Sequence, residues 1–206
     1  MQVEVELDGD NMRFVSLYAP NTNPARNTFL SSLPDLIDLA APTFVCGDFN
    51  SVLDPHVDRR RHPSYAGPSE RGNRRESVAA LQSLLAATET FPVWRTRHPT
   101  EAVFSWDHAS GLFSSRINMI WAPMLLEQTI KDCCYHPSFL SDHCYMLLTF
   151  ELRDAEVRGC GSLMSRCWTI RHTVPSFGPF GPSGSLGTLQ TSLLDGSGDF
   201  MADFSF

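Results

Sequence analysis

Four short segments place carboxylate, amide, phenol and imidazole groups at the ends of apolar stretches. They are Leu17-Tyr18-Ala19-Pro20-Asn21, Gly47-Asp48-Phe49-Asn50, Ser115-Arg116-Ile117-Asn118 and Ser141-Asp142-His143. These are the groups of acid–base and metal-assisted chemistry: a base to activate water, a donor for developing charge, and oxygens for a hard cation. Taken singly, each has a plain explanation. Asp and Asn after a strand commonly bond their own backbone in a turn, and Ser-Asp-His can open a helix. Taken together they differ, because the strands of one sheet deliver such loops to one edge, where sites collect.

The positioning elements alternate in kind. Val3, Val5 and Leu7 alternate with Glu4 and Glu6, Asp8-Gly9-Asp10-Asn11 is a turn signal, and Met12 to Tyr18 resumes the apolar run. That pattern predicts a β-hairpin with the two glutamates facing solvent. Asn23-Pro24 reads as an N-cap and first-turn proline before a helical face of Phe29, Leu33, Leu36 and Ile37, and Pro34 is expected to split that helix in two. Thr43 to Cys46 reads as a buried strand, residues 54–72 as a polar loop, and Asn73 to Ala87 as an amphipathic helix with Val78, Leu81, Leu84 and Leu85 inward. Further strands are expected at Val103–Trp106, Arg116–Trp121, Glu127–Cys133 and Tyr145–Glu151. Strands with interspersed helices predict a layered α/β fold.

The chain has 206 residues, 42% hydrophobic and 19% charged, with a formal net charge of −7. This is matter for one core, and it excludes collagen, coiled coil and a wholly disordered chain. No apolar run reaches the 18 or so residues of a membrane helix, and the start lacks a signal-peptide pattern. Unevenly spaced cysteines and the absence of an Asn-x-Ser/Thr sequon point to an intracellular setting, nuclear or cytoplasmic. Although the chain is acidic, Arg59, Arg60, Arg61, Arg71, Arg74 and Arg75 cluster, and arginine grips phosphate bidentately; a solvated surface loop explains them equally well. Cys133, Cys134, His136, His143 and Cys144 lack zinc-ligand spacing and read as structural, and Trp94, Trp106 and Trp121 read as core. From about residue 153 to 206 Gly, Ser and Pro abound and charge is sparse, most of all at Ser176 to Gly187. That composition predicts a disordered tail after a domain spanning residues 1–152.

Tyr18-Ala-Pro-Asn, Gly47-Asp-Phe-Asn, Val93-Trp-Arg…His98-Pro99, Phe104-Ser-Trp-Asp, Ser115-Arg-Ile-Asn and Ser141-Asp-His, in this order, resemble the endonuclease/exonuclease/phosphatase superfamily. The resemblance is to the apurinic-endonuclease-like domain of LINE-type retrotransposons, and it covers residues 2–152. It implies a two-sheet α/β sandwich of the DNase I-like type and Mg²⁺-dependent hydrolysis of DNA phosphodiesters, Mn²⁺ being an acceptable substitute. By resemblance Asp48 is the water-activating carboxylate, Asn50 aligns substrate and water, Asp142 shares the metal with Asp48 and Asn50, and His143 and Tyr18 face the phosphate oxygens. The resemblance also implies that Asn118 stands where the family has the aspartate that orients the histidine. The clustered arginines would touch the nucleic-acid backbone.

Three features depart from the family pattern. Asn118 is an amide and cannot supply charge to the histidine; it can also hold the wrong tautomer, a swap that costs about 10⁴ in rate in a serine protease. The family's metal-binding glutamate lies on a strand upstream of the Tyr-Ala-Pro-Asn segment, and only 17 residues precede Tyr18, which implies a partial sandwich lacking its N-terminal strands. Pro92 stands where relatives tend to carry an acidic residue. The alternative expectation is therefore a catalytically inactive remnant that binds nucleic acid weakly or not at all. A lipid-headgroup phosphatase of the same superfamily is the least favoured reading, because no basic amphipathic helix suggests a membrane surface.

Overall fold

The computed structural model describes residues 2–7, 9–64, 71–139, 141–153, 165–173, 190–194 and 200–205, with the backbone alone at 71–74, at 153 and from 165 onward. In chain order the first elements are β1 (Gln2–Leu7), β2 (Asp10–Tyr18), α1 (Asn23–Leu36), β3 (Thr43–Asp48), β4 (Arg59–Arg61), α2 (Arg71–Ala87), β5 (Thr90–Pro92) and α3 (Val93–Arg97). There follow β6 (Trp106–Asp107), β7 (Phe113–Ser115), β8 (Asn118–Pro123), a 3-10 turn at Met124–Thr129, β9 (Ile130–His136) and β10 (Tyr145–Arg153). The last strands are β11 (Ser165–Thr173), β12 (Gln190–Leu194) and β13 (Phe200–Ser205).

The alternating start forms the expected hairpin, β1 against β2, with Glu4 and Glu6 exposed and Gly9 at φ 87°, a conformation glycine adopts without a Cβ penalty. Because β2 and β3 run parallel, a crossover must join them, and α1 supplies it. The first sheet has the order β1-β2-β3-β8-β5, the second β13-β12-β11-β10-β9, and a small third sheet β4-β7-β6.

Burial follows from that layering. One face of the first sheet, with Met12, Phe14, Phe44, Cys46 and Ile120, packs on Ile130, Met146, Leu148 and Phe150 of the second. Phe44 joins the two, stacked on Phe14 at 5.1 Å and tilted against Phe150 at 5.0 Å. The other face, with Val15, Leu17, Val45, Met119 and Trp121, meets Leu30 and Leu33 of α1 and Leu81 and Leu84 of α2. Because β2 and β3 lie between these two layers, their central residues are buried in unbroken runs where an exposed face would show alternation. The fold is thus the expected two-sheet α/β sandwich.

Several local expectations are revised. Pro34 does not split α1: it lies in the last turn, and the helix ends two residues beyond it at Leu36. The N-cap is Thr22, one residue before the expected Asn23, and α2 begins at Arg71, before Asn73. The expected strand at Val103–Trp106 shrinks to Trp106–Asp107, and that at Glu127–Cys133 starts only after the 3-10 turn. The 54–72 loop contains β4. Within the expected tail, three stretches are strands that extend the second sheet from β10; Ser176 to Gly187 lies outside the described residues. Trp94 and Trp121 are buried as expected, but Trp106 is only half-buried. Cys46 and Cys133 are buried, Cys134 and Cys144 half-buried, and all four are unbridged.

A buried ion pair ties the polar loop to the second half of the fold. Asp58 is fully buried and accepts from Arg116 Nε at 2.8 Å and from the Arg116 terminal nitrogen at 2.9 Å, with Arg95 as a further partner. Burial alone would raise the Asp58 carboxyl; the bonds and charge of Arg116 overcome it and hold the group below its ordinary value. Removing Arg116 takes two hydrogen bonds and a cation from the buried carboxylate and leaves it Arg95 alone. Arg116→Met is therefore expected to cost about 3–5 kcal/mol at pH 7. In urea melts the deficit should shrink as pH falls through the carboxylate range, since protonation relieves the stranded Asp58.

Candidate active site

The two parallel strands β2 and β3 end side by side, Tyr18 opposite Asp48, and β8 begins opposite the same residue, Asn118 against Asp48. Gly47 permits this: a Cβ there would stand 2.0 Å from the Leu17 carbonyl oxygen. Beyond β3 the chain turns sharply, with Asn50 at φ 47°, a left-handed conformation that asparagine tolerates. The Asn50 amide N–H donates to Asp48 Oδ1 at 2.8 Å, and Asn50 Nδ2 donates to the Ala19 carbonyl at 2.7 Å. So the turn-forming explanation of Asp48 holds, but it does not account for the environment. Asp48 is 1% exposed, whereas a mere turn former belongs in water.

That burial pushes the Asp48 carboxyl up to about 7; the Asn50 N–H and the Arg26 guanidinium pull it back, and the charge of Asp142 adds to the rise. Arg26 is buried in the first turns of α1, held by the Asn21 carbonyl at 2.9 Å. Tyr18 is raised mainly by burial and then by Asp48, and it hydrogen-bonds with Asn50 and Asn21.

The histidine loop is stitched to the same rim. Trp106 and His143 form an antiparallel bridge, the Cys144 N–H donates to the Ser105 carbonyl at 2.8 Å, and Trp106 Nε1 donates to Asp142 at 2.8 Å. His143 Nδ1 lies 2.9 Å from Asn118 Oδ1. Burial lowers the His143 pKa against the opposing charge of Asp142, which favours the neutral ring. Tyr135 Oη donates to the Asn118 carbonyl at 2.7 Å and also meets Arg116, linking this strand to the buried ion pair.

Tyr18, Asp48, Asn50, Asn118, Asp142 and His143 therefore converge. Among the arginines, Arg59 and Arg61 line a cleft of about 290 Å³ whose wall includes Asn50, Arg26, Trp106 and Phe113. Both guanidiniums lie near the Phe113 ring, at 5.9 and 5.5 Å from its centroid. Arg60 turns to Asp107, Ser114 and the Phe104 ring and does not line the cleft. Arg75 is exposed on α2, while the side chains of Arg71 and Arg74 lie outside the described residues. Two contributors escaped the sequence reading, Arg26 and Asp58, and a third, Ser105, stood in the Phe104-Ser-Trp-Asp motif without a role of its own. Arg26 shows no signal beyond its place after Tyr-Ala-Pro-Asn. Asp58 and Ser105 gain meaning only from partners distant in sequence.

No family model matches the chain. It is 28% identical over 151 residues to the Transposon TX1 uncharacterized 149 kDa protein of Xenopus laevis, a match covering 69% of this chain and 11% of that protein. Among solved structures it is similar to an AP endonuclease from Archaeoglobus fulgidus, with TM-score 0.54 and 17% identity over 72% of this chain and 64% of that one. It is also similar to the APE2 catalytic domain of Xenopus laevis, with TM-score 0.54 and 16% identity over 69% of this chain and 51% of that one. For the 3'-5' exonuclease NExo of Neisseria meningitidis the TM-score is 0.51 at 16% identity, over 69% and 62%. The chain thus spans about one-tenth of the transposon protein and one-half to two-thirds of these nuclease structures. It has the fold of the DNase I-like AP endonucleases, and its similarity to the transposon protein together with the ordered motifs at one rim supports an endonuclease/exonuclease/phosphatase superfamily domain of retrotransposon type.

Proposed function

We propose that this domain hydrolyses DNA phosphodiester bonds with Mg²⁺, as an apurinic/apyrimidinic-type endonuclease or an exodeoxyribonuclease III-like enzyme in the nucleus or cytoplasm. The observation that supports it most is a buried carboxyl with its pKa near 7, Asp48, on one rim with Asn50, Asp142 and an imidazole backed by Asn118. A base poised near the working pH is what water activation requires.

The donor chemistry fits a hard cation. Asp48 and Asp142 are carboxylates whose mutual repulsion contributes to the raised Asp48 pKa, and a cation relieves it. Among the described residues no three His, Cys, Asp or Glu side chains form a cage. Mg²⁺ takes one or two carboxylates and completes its shell with water and substrate phosphate. Asp142, Asp48 and the Asn50 amide oxygen would hold it, and when bound it neutralises charge on the phosphate.

The chain's own groups do the rest. Asp48 accepts the proton of the attacking water, and Asn50, fixed by two hydrogen bonds, keeps water and phosphate aligned. Tyr18 donates to a phosphate oxygen. His143 has Nδ1 committed to Asn118, so it donates from Nε2 once the phosphate's charge favours the cationic ring. Arg59 and Arg61 reach the flanking backbone phosphates, with Trp106 and Phe113 against sugar or base. Each phosphate contact contributes roughly 0.9 to the salt slope on duplex DNA. Arg59→Ala/Arg61→Ala is expected to reduce the slope of log K against log salt by about 1.8 in fluorescence titrations.

The amide at 118 favours a second reading, a domain that keeps the fold and binds DNA but has lost turnover. One assay separates the two. The chain is incubated with supercoiled plasmid and with an abasic duplex, with and without Mg²⁺, beside Asp48→Ala. Metal-dependent nicking that Asp48→Ala abolishes supports hydrolysis. Binding without nicking at any metal concentration supports the second reading.

A further inference from the structure

The departure at Asn118 raises the question of which end of its amide faces the histidine. Oxygen and nitrogen are alike in size, so the surrounding network must decide. Ser105 sits at the centre of that network. Its Oγ accepts the backbone N–H of Ile117 at 2.9 Å and that of Asn118 at 2.9 Å. Both lone pairs are then occupied, leaving the hydroxyl one proton to give and nothing with which to accept. An amide N–H pointed at this oxygen would find no partner, whereas an amide oxygen is the acceptor it needs. The atom facing it, at 3.2 Å, is therefore Asn118 Oδ1. The competing acceptor, the Ser115 carbonyl, is farther away at 3.4 Å.

The same Oδ1 lies 2.9 Å from His143 Nδ1. A carbonyl-type oxygen only accepts, so Nδ1 must carry the proton, and Nε2 of the neutral ring is left with its lone pair. Asn118 Nδ2, fully buried, has no hydrogen-bond partner among the described residues. The orientation is thus held in spite of that orphaned donor.

We infer that Ser105 is a positioning residue: its hydroxyl fixes Asn118 with the oxygen toward His143, and through it holds His143 as the Nδ1–H tautomer. This device keeps for an amide the geometric half of what a carboxylate would provide, though not its charge. An amide can also hold the wrong tautomer, and the Ser105 hydroxyl is what would prevent it here. Its catalytic meaning rests on the proposed hydrolase; the tautomer itself does not.

The test reads the ring directly. Long-range ¹⁵N–¹H correlation spectra of the full chain, free of metal and DNA and above the ring's pKa, show which nitrogen of His143 is protonated; His143→Gln assigns the signals. The unmodified chain should show Nδ1–H as the dominant form. In Ser105→Ala, Nε2–H should grow at its expense, and Ser105→Thr should resemble the unmodified chain. Ser105→Ala/Asn118→Asp should recover Nδ1–H, since a carboxylate accepts whichever way it turns. If the alanine variant does not fold, Ser105→Cys takes its place, filling the volume with a poorer donor. Dominant Nε2–H in the unmodified chain, or a Ser105→Ala or Ser105→Cys ring unchanged from it, overturns the inference. A chain that nicks no DNA can still pass, so failure here and failure of the hydrolase reading are distinct.

Discussion

Asp48→Asn is expected to lower plasmid nicking by about 10²–10⁴-fold, the usual contribution of a positioned base, and at the same time to make the protein more stable at alkaline pH. Both follow from one observation. Asp48 is raised from the ordinary aspartate range to about 7, chiefly by burial. A carboxyl raised on folding favours the folded state only in its neutral form. There is no penalty below the unfolded pKa; the penalty grows as pH climbs toward 7 and is constant above. A rise of this size corresponds to a cost on the order of 4 kcal/mol at pH 8. The neutral isostere should recover much of it at pH 8 and almost nothing at pH 4 in urea melts. Saturating Mg²⁺ should narrow the gap, because a cation stabilises the carboxylate that the variant lacks. Equal stability of the two proteins at pH 8 without metal would contradict the buried-carboxylate account.

Asn118→Asp is the second large effect, and its direction is a gain. With the tautomer held by Ser105, what the amide withholds from His143 is charge. Hydrogen bonds to charged groups contribute about 1.5–3 kcal/mol, or roughly 10–100-fold in rate. Nicking should rise by that factor, and the pH above which activity declines should move upward, since the carboxylate stabilises the donating cationic ring. Stability should move the other way. Residue 118 is fully buried and lies opposite Asp48 across the β3–β8 pair, so a second carboxylate adds repulsion there. An unchanged or lower rate with the fold intact would show that the histidine's charge does not limit turnover.

What the sequence disclosed of this site was local. Tyr18, Asp48, Asn50, Asn118, Asp142 and His143 stand in short motifs at or just beyond strand ends, where residue type and position coincide. Arg26 and Asp58 escaped notice, and Ser105, although within Phe104-Ser-Trp-Asp, had no role there, because these roles arise from partners far along the chain: Asp58 meets Arg116 at a separation of 58 residues, and Ser105 meets Asn118 at 13. The strands β4, β6 and β7 are two or three residues long, too short for any period to show, and only their mutual pairing defines them. The helix α1 ends two residues past Pro34, so the proline marks its end and not a break between two helices. In the C-terminal stretch the Gly, Ser and Pro of the intervening segments masked Ser165–Thr173, whose Trp, Ile and Thr residues suit a pleated strand. Its antiparallel register with β10 depends on a partner that composition does not reveal.

The claim on which the rest depends is that two carboxylates, an amide and an imidazole meet at one rim able to gather a divalent cation. Titration of the ¹⁵N-labelled chain with Mn²⁺ tests it most directly, since the paramagnetic ion broadens only nearby resonances. The account predicts early, selective loss of the Asn50 and Asn118 side-chain amide signals and of the His143 ring, suppressed in Asp48→Asn and reversed by excess Mg²⁺. Broadening that spares these three, or that centres on Cys134 and His136 of β9, would contradict it.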